Sequence, residues 1–307
     1  MTLAKGWNAV FLEVDPVERA PGAVFANVPV DIVARYFTLV TPVQYISDPA
    51  DEPWKTKGWG VWYAPTREDA FLTSLHAIQG NRCYLIHATA AATWKVTGAV
   101  RLQQTSWKTD SFNLFGACID PAAAPTFGRF FSGAGGRIGS RIYRLVEGKW
   151  TKVNQPDATA MRPGEACWVF CSGQTSYQGP LDVTAGGDGG LDFGTTGETL
   201  EVAVRNALPA TADISVVRVA PSGAGTSLPL NRVRRNLAQL ETTYPDLTAP
   251  IGFGGVASGG EARVGIQLRR DRMTAAAQST LLKITSSSGA VAWVPVKAST
   301  PGPATAP

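Results

Sequence analysis

Only two histidines, His76 and His87, occur in 307 residues. A Ser-His-Asp or Cys-His enzyme would have to use one of them, and neither stands beside a nucleophile-elbow pattern. Cysteine is also scarce, at four. Cys83/His87 and Cys167/Cys171 are each spaced i,i+4, which on a strand is roughly 13 Å. That is too far for a local disulfide, a chelate or a thiol–imidazole hydrogen bond. A bridge between distant strands, for example through Cys118, stays open. No phosphate loop, dinucleotide fingerprint or zinc spacing occurs, so neither a cofactor nor a metal is expected. No run of 18 apolar residues is present, which excludes a membrane-spanning helix. The balance of Lys+Arg 28 against Asp+Glu 24 leaves only +4, a solubility property and not a nucleic-acid footprint. The one basic cluster, Arg232, Arg234 and Arg235, reads either as a solvated face or as an anion-binding patch.

Glycine and proline, by contrast, are plentiful at 32 and 21. They fall between short apolar runs, the pattern of short strands joined by turns. With hydrophobic residues at 44% the chain can bury real cores, and its length predicts two or three domains. The fold class expected is all-β.

The first half is duplicated. Trp7-Asn8-Ala9-Val10-Phe11-Leu12-Glu13-Val14-Asp15-Pro16 aligns without gaps on Phe112-Asn113-Leu114-Phe115-Gly116-Ala117-Cys118-Ile119-Asp120-Pro121. Gly80-Asn81-Arg82-Cys83-Tyr84-Leu85-Ile86-His87 then aligns on Gly164-Glu165-Ala166-Cys167-Trp168-Val169-Phe170-Cys171. Gly98-Ala99-Val100 and Gly179-Pro180-Leu181 follow in the same order. This alignment makes Cys83 equivalent to Cys167 and His87 equivalent to Cys171. Between the anchors, the first copy predicts a helix from a Thr66/Asp69 capping box with Phe71, Leu75 and Ile78 on one face. The second copy predicts a hairpin over Arg141–Val146 and Gly148–Trp150 instead, the helix being lost.

Ala185 to Gly190 reads as a flexible joint. Asp182, Asp188 and Asp192 surround it, but at no calcium-loop spacing. Beyond it, Leu200, Val202 and Val204, then Val264, Ile266 and Leu268, alternate with polar residues, and Ser288-Gly289 turns one strand into the next. About seven short strands predict a β-sandwich, interrupted over 229–253 by a helical turn at Val233 to Leu240. The expected domains are two related β repeats at 1–103 and 104–183, a linker at 184–190, an Ig-like sandwich at 191–299 and a Pro-rich tail at 300–307.

Gly6-Trp7-Asn8 and Pro163-Gly164-Glu165-Ala166-Cys167-Trp168-Val169 resemble a repeat of large secreted bacterial surface proteins. Leu191-Asp192-Phe193-Gly194 and the strand ending Arg205-Asn206 resemble the Ig-like modules that decorate such proteins. The resemblance implies an extracellular or cell-surface location, with other domains or copies of a surface protein as partners. It carries no catalytic residues over. The start at Met1, almost directly before Lys5-Gly6-Trp7-Asn8, is read as a mature-protein boundary with the signal peptide removed.

Two other functions are expected to leave marks. A glycan binder would use Trp54, Trp59, Trp62 and Tyr63 as a stacking platform. A glycan-directed hydrolase would pair carboxylates such as Asp15, Asp120 and Glu165, although Asp before Pro commonly starts a turn. The favoured reading is a non-catalytic structural or adhesive module, self-assembling or part of a larger surface protein.

Overall fold

The computed structural model describes residues 1–37, 58–187, 189–219, 227–236 and 238–300. It is all-β, and the chain divides into two compact units. One is Met1–Val100 with Thr105–Tyr177; the other is Arg101–Gln104 with Gln178–Pro307.

In the first unit the chain forms β1 (Thr2–Leu3), β2 (Gly6–Leu12), β3 (Val14–Pro16), a single helical turn α1 (Pro21–Val24), β4 (Val30–Tyr36), β5 (Trp59–Tyr63), β6 (Arg82–Ala88), β7 (Ala92–Thr93) and β8 (Gly98–Val100). The second copy forms β9 (Ser111–Phe115), α2 (Phe127–Phe131), β10 (Ile138–Val146), β11 (Lys149–Lys152) and β12 (Cys167–Cys171). The sheets run β2-β6-β4-β5 and β9-β12-β10-β11, antiparallel throughout. Both carry a register irregularity at the same place, between β4 and β6 and between β10 and β12. The duplication therefore extends to topology.

Register corrects the sequence alignment by one residue. Trp7 pairs with His87, whereas Phe112 pairs with Phe170. Leu85 thus corresponds to Trp168, and Tyr84 to Cys167. Asn81 corresponds to Gly164, and both have positive φ, 54° and 70°. A one-residue slip exchanges sheet faces, so Cys83 and Cys167 are not equivalent, nor are His87 and Cys171.

The asparagine of the repeat has a clear task. Asn8 accepts from the Ala4 amide and donates to the Ala4 and Gly6 carbonyls. Asn113 does the same with Lys108 and Ser111. Each side chain replaces the backbone partners that the turn before the strand lacks.

Equivalent faces of the two sheets pack together. Ile32, Ala34, Val61, Tyr63 and Leu85 share one core with Phe112, Trp150 and Trp168. The two copies also approach closely at Gly116, where a Cβ would lie 2.2 Å from the Phe11 side chain. Behind the first sheet lies a separate core that includes Phe25, Trp62, Leu75, Ile78, Tyr84 and Trp94. Behind the second, Phe115, Phe130, Phe131 and Trp107 pack ring on ring. Cys167, Val169 and Cys171 share a buried face, as alternation predicts.

The helix assignments change. Over 64–79 there is only a 3-10 turn at Ala70–Leu72, and Phe71 is exposed. Arg67 holds both oxygens of Asp69, leaving no carboxylate for a capping box. Thr73 and Ser74 instead accept from the Tyr63 and Val61 amides, stitching the segment along β5. The second copy keeps a helix, with the Thr126 hydroxyl accepting from the Arg129 amide at its N-terminus. Its hairpin is as expected, β10 and β11 turning through Glu147 and Gly148 at positive φ.

The second unit is an Ig-like sandwich of β13 (Leu181–Thr184), β14 (Leu191–Asp192), β15 (Thr199–Asn206), β16 (Ala212–Val219), β17 (Leu230–Asn236), β18 (Glu241–Thr243), β19 (Ile251–Val256), β20 (Glu261–Leu268), β21 (Ala277–Ser286) and β22 (Val291–Ser299). Its sheets run β13-β15-β20-β17-β18 and β14-β22-β21-β16-β19. β13 pairs with β15, so residues 181–183 belong to this sandwich and not to the second repeat. The 184–190 stretch carries the chain from one sheet to the other, where β14 runs parallel to β22. It is a corner within one fold, with Ala185 and Leu191 buried, and not a joint between folds. The sequence signatures are corners as well. Asn206 is buried and bonds the carbonyls of Ala210, Val256 and Ala257. Arg270 donates to the carbonyls of Phe193, Gly194, Gly197 and Ser299, holding the turn after β14. Val233 lies in β17, and the expected helical turn there is a strand and hairpin. Residues 301–307 of the expected tail, and Asp188, lie outside the described residues.

Candidate functional site

The stacking platform expected from Trp54, Trp59, Trp62 and Tyr63 does not form as such. Trp54 lies outside the described residues. Trp62 and Tyr63 are both buried, on opposite faces of β5. Trp62 stacks on Phe25 at 5.9 Å, and half-buried Trp59 packs against Tyr36 and Trp168 at 5.3 and 6.3 Å. The reason is architectural: the first sheet has a core on each side, so neither face of β5 is free to present rings to a sugar.

The expected carboxylates are engaged in structure. Asp15 is 5% exposed, accepts from the Gly80 amide and binds Arg19 at 2.7 Å. Asp120 accepts from the Ala122 amide two residues on, as a turn-forming Asp does. Glu165 takes Arg144 with both oxygens. Burial works against the Arg144 cation, and the carboxylate more than offsets it, raising its pKa. Asp182 and Asp192 bind Arg205 and Lys297. Among the described residues, no three His, Cys, Asp or Glu side chains are grouped as metal ligands.

His87 has a partner that the sequence did not reveal. Its Nδ1 lies 2.5 Å from Asp31 Oδ1, the other Asp31 oxygen binds Arg67 at 2.9 Å, and the Trp7 ring sits 5.1 Å away. Among the described residues no hydroxyl or thiol hydrogen-bonds to His87, so the arrangement orients an imidazole without supplying a nucleophile. His76 is exposed. All four cysteines are free thiols. Burial pushes Cys83, Cys118 and Cys167 up from their ordinary values, away from the reactive thiolate.

What the first unit does offer is an open groove of about 1510 Å³. One wall is β2 with its flanks, from Ala4 to Val14. The others are Thr93–Val96, the β10–β11 turn with Leu145 and Lys149, and the Arg162–Glu165 turn. Both copies therefore build it. The Arg162–Glu165 turn is locked in place twice. The Phe11 amide donates to Gly164 O at 2.8 Å and the Ala166 amide to Ala9 O at 3.0 Å, while Arg144 anchors Glu165 from below. Lys5, Lys95 and Lys149 line the groove, are exposed, and have no carboxylate partner among the described residues. Arg162 reaches Glu165 only at 4.0 Å. These cations were missed because nothing in the sequence joins Lys5 to Lys149 before the sheets are stacked.

Among the described residues, no helix is long and apolar enough to cross a membrane. No family model matches the chain, and no curated protein matches it. Among solved structures, the seventh PapD-like (ASH) domain of human CEP192 is similar over 40% of this chain and 87% of that one, at 11% identity and a TM-score of 0.24.

Proposed function

We propose that this protein is a non-catalytic structural or adhesive module of the cell surface, and that an extended acidic segment of a partner protein docks in the groove of its first unit. The observation that carries this reading is that Lys5, Lys95 and Lys149, none with a carboxylate partner among the described residues, line a concavity that two duplicated sheets build jointly, where Arg162 and the acids Glu13, Glu147 and Glu165 also lie. Exposed lysines on a groove wall attract the carboxylates of an incoming segment, and complementary charge sets both partner and register. The reading is supported by the engagement of Asp15, Asp120 and Glu165 with backbone amides and arginines, and by the lack of a hydroxyl or thiol bonded to His87 among the described residues. A glycan platform at Trp59, Trp62 and Tyr63 loses its support to burial. The extracellular location rests on the likeness of Gly6-Trp7-Asn8 and of the Pro163 to Val169 stretch to surface-protein repeats.

The test is fluorescence anisotropy with a labelled peptide of alternating Glu and Val, set beside sedimentation of the protein alone at rising concentration. Saturable binding that falls with salt and drops about tenfold or more in Lys5→Glu/Lys149→Glu is expected. The reading fails if the peptide does not bind or if the double variant binds it as well.

A further inference from the structure

In the second unit, β17 leaves the sandwich. It pairs with β20 only from Leu230 to Val233, and from Arg234 onward it pairs with β18 alone. Every described residue from Arg234 to Asp246 is exposed. At the end of this ribbon Asn236 Oδ1 accepts from the amides of Ala238 and Gln239. That turn presents Leu240, 92% exposed and at φ 52°, a backbone region that branched side chains avoid. Tyr244, further down the ribbon, is 47% exposed.

Charge on the stem is equally unpaired. Elsewhere in this unit arginines bind carboxylates, as Arg205 does Asp182, Arg263 does Glu201 and Glu261, and Arg269 does Asp271. The side chains of Arg232, Arg234 and Arg235 have neither an ion pair nor a hydrogen bond among the described residues. Arg232 lies over the Phe253 ring at 6.0 Å, and burial together with the Arg234 charge lowers its pKa. Glu241 is the one carboxylate on the ribbon, and Asp246 at its base faces Arg272 at 3.9 Å.

We propose that this ribbon docks the protein on an anionic lipid surface. An exposed leucine at a turn has its unfavourable hydration relieved in the acyl boundary. Arginines a few residues behind can keep their charge at the phosphates while their stems lie against apolar surface. A tyrosine at that depth suits the headgroup layer. A polysaccharide or an acidic protein would use the arginines but has no need of Leu240, and that difference separates the possibilities.

The experiment is co-sedimentation of the full chain with phosphatidylcholine vesicles, with and without phosphatidylglycerol. Binding should require phosphatidylglycerol and weaken with salt. Arg234→Gln/Arg235→Gln should lower affinity about twenty-fivefold, at roughly fivefold per arginine. Leu240→Ser should lower it as well, and Glu241→Gln should raise it. All four positions are exposed, so thermal unfolding serves as a control for intact folding. Groove variants such as Lys5→Glu should leave vesicle binding unchanged, which keeps this proposal separable from the peptide site. Equal binding to both vesicle types, or binding indifferent to Leu240→Ser, overturns it. So does retention on dextran sulfate that depends on the arginines while the vesicles fail to bind.

Discussion

Where the second copy sets Arg144 against Glu165, the first copy sets Arg35 at the corresponding place and Arg82 where the acid would be. Arg35 donates to the Gln79 side-chain Oε1 at 2.9 Å and lies over the face of Phe37 at 4.6 Å. Burial lowers its pKa and the neighbouring Arg82 adds to the effect. The difference follows the work of the two turns. In the first copy, Asn81 bonds Leu12 O of its own sheet, so that turn closes locally. In the second, the Gly164 turn bonds β2 of the other copy and forms a wall of the groove. Duplication supplied two equal sheets, and the ion pair marks the one turn used to join them.

If that is right, the joint between the sheets should be the most sensitive part of the first unit. Trp168 is 1% exposed and packs against Tyr36, Trp59 and Trp150. Trp168→Ala should cost about 4 kcal/mol in urea unfolding. Leu85→Ala, at the equivalent place in the first copy, opens a smaller void and should cost less. A larger loss from Leu85→Ala would show that the sheets do not share their core in the way described.

Glu165→Ala comes next, at about 3 kcal/mol, because it leaves Arg144 buried without its partner. Arg144 is 9% exposed and also lies over the Phe127 ring at 5.5 Å. The same variant should loosen the groove, read as faster hydrogen exchange at the Phe11 and Ala166 amides. Unchanged exchange there would mean that the turn is held by its backbone bonds alone.

The repeat, the alternating strands and the second unit's sandwich were legible because each depends on patterns a few residues long. Asn8 and Asn113, Asp120, and the Glu147-Gly148 turn act on their own neighbourhoods, and their spacing says so. What the sequence hid was register and stacking. A one-residue offset between the copies leaves the hydrophobic pattern almost unchanged, yet it moves Cys167 to the face opposite Cys83. The Trp59, Trp62 and Tyr63 cluster looked like a surface because a single strand cannot show that both of its faces are covered. The helix over 66–78 failed for a related reason: the Arg67 guanidinium that takes Asp69 is itself held by Asp31, which is distant in sequence. The groove and the His87–Asp31 pair depend on residues brought together from afar.

The smallest effect expected is also the sharpest test of the comparison. Arg82→Glu places in the first copy the acid that the second copy has, opposite Arg35 on the neighbouring strand. Arg82 is exposed, so the new pair is partly solvated and should add under about 1 kcal/mol. The gain should shrink in high salt and should vanish when Arg35→Gln is combined with it. A destabilisation would mean that Gln79 and Phe37 already satisfy Arg35, and that the first copy dispenses with an acid because its turn, bonded only to its own sheet, has nothing further to hold.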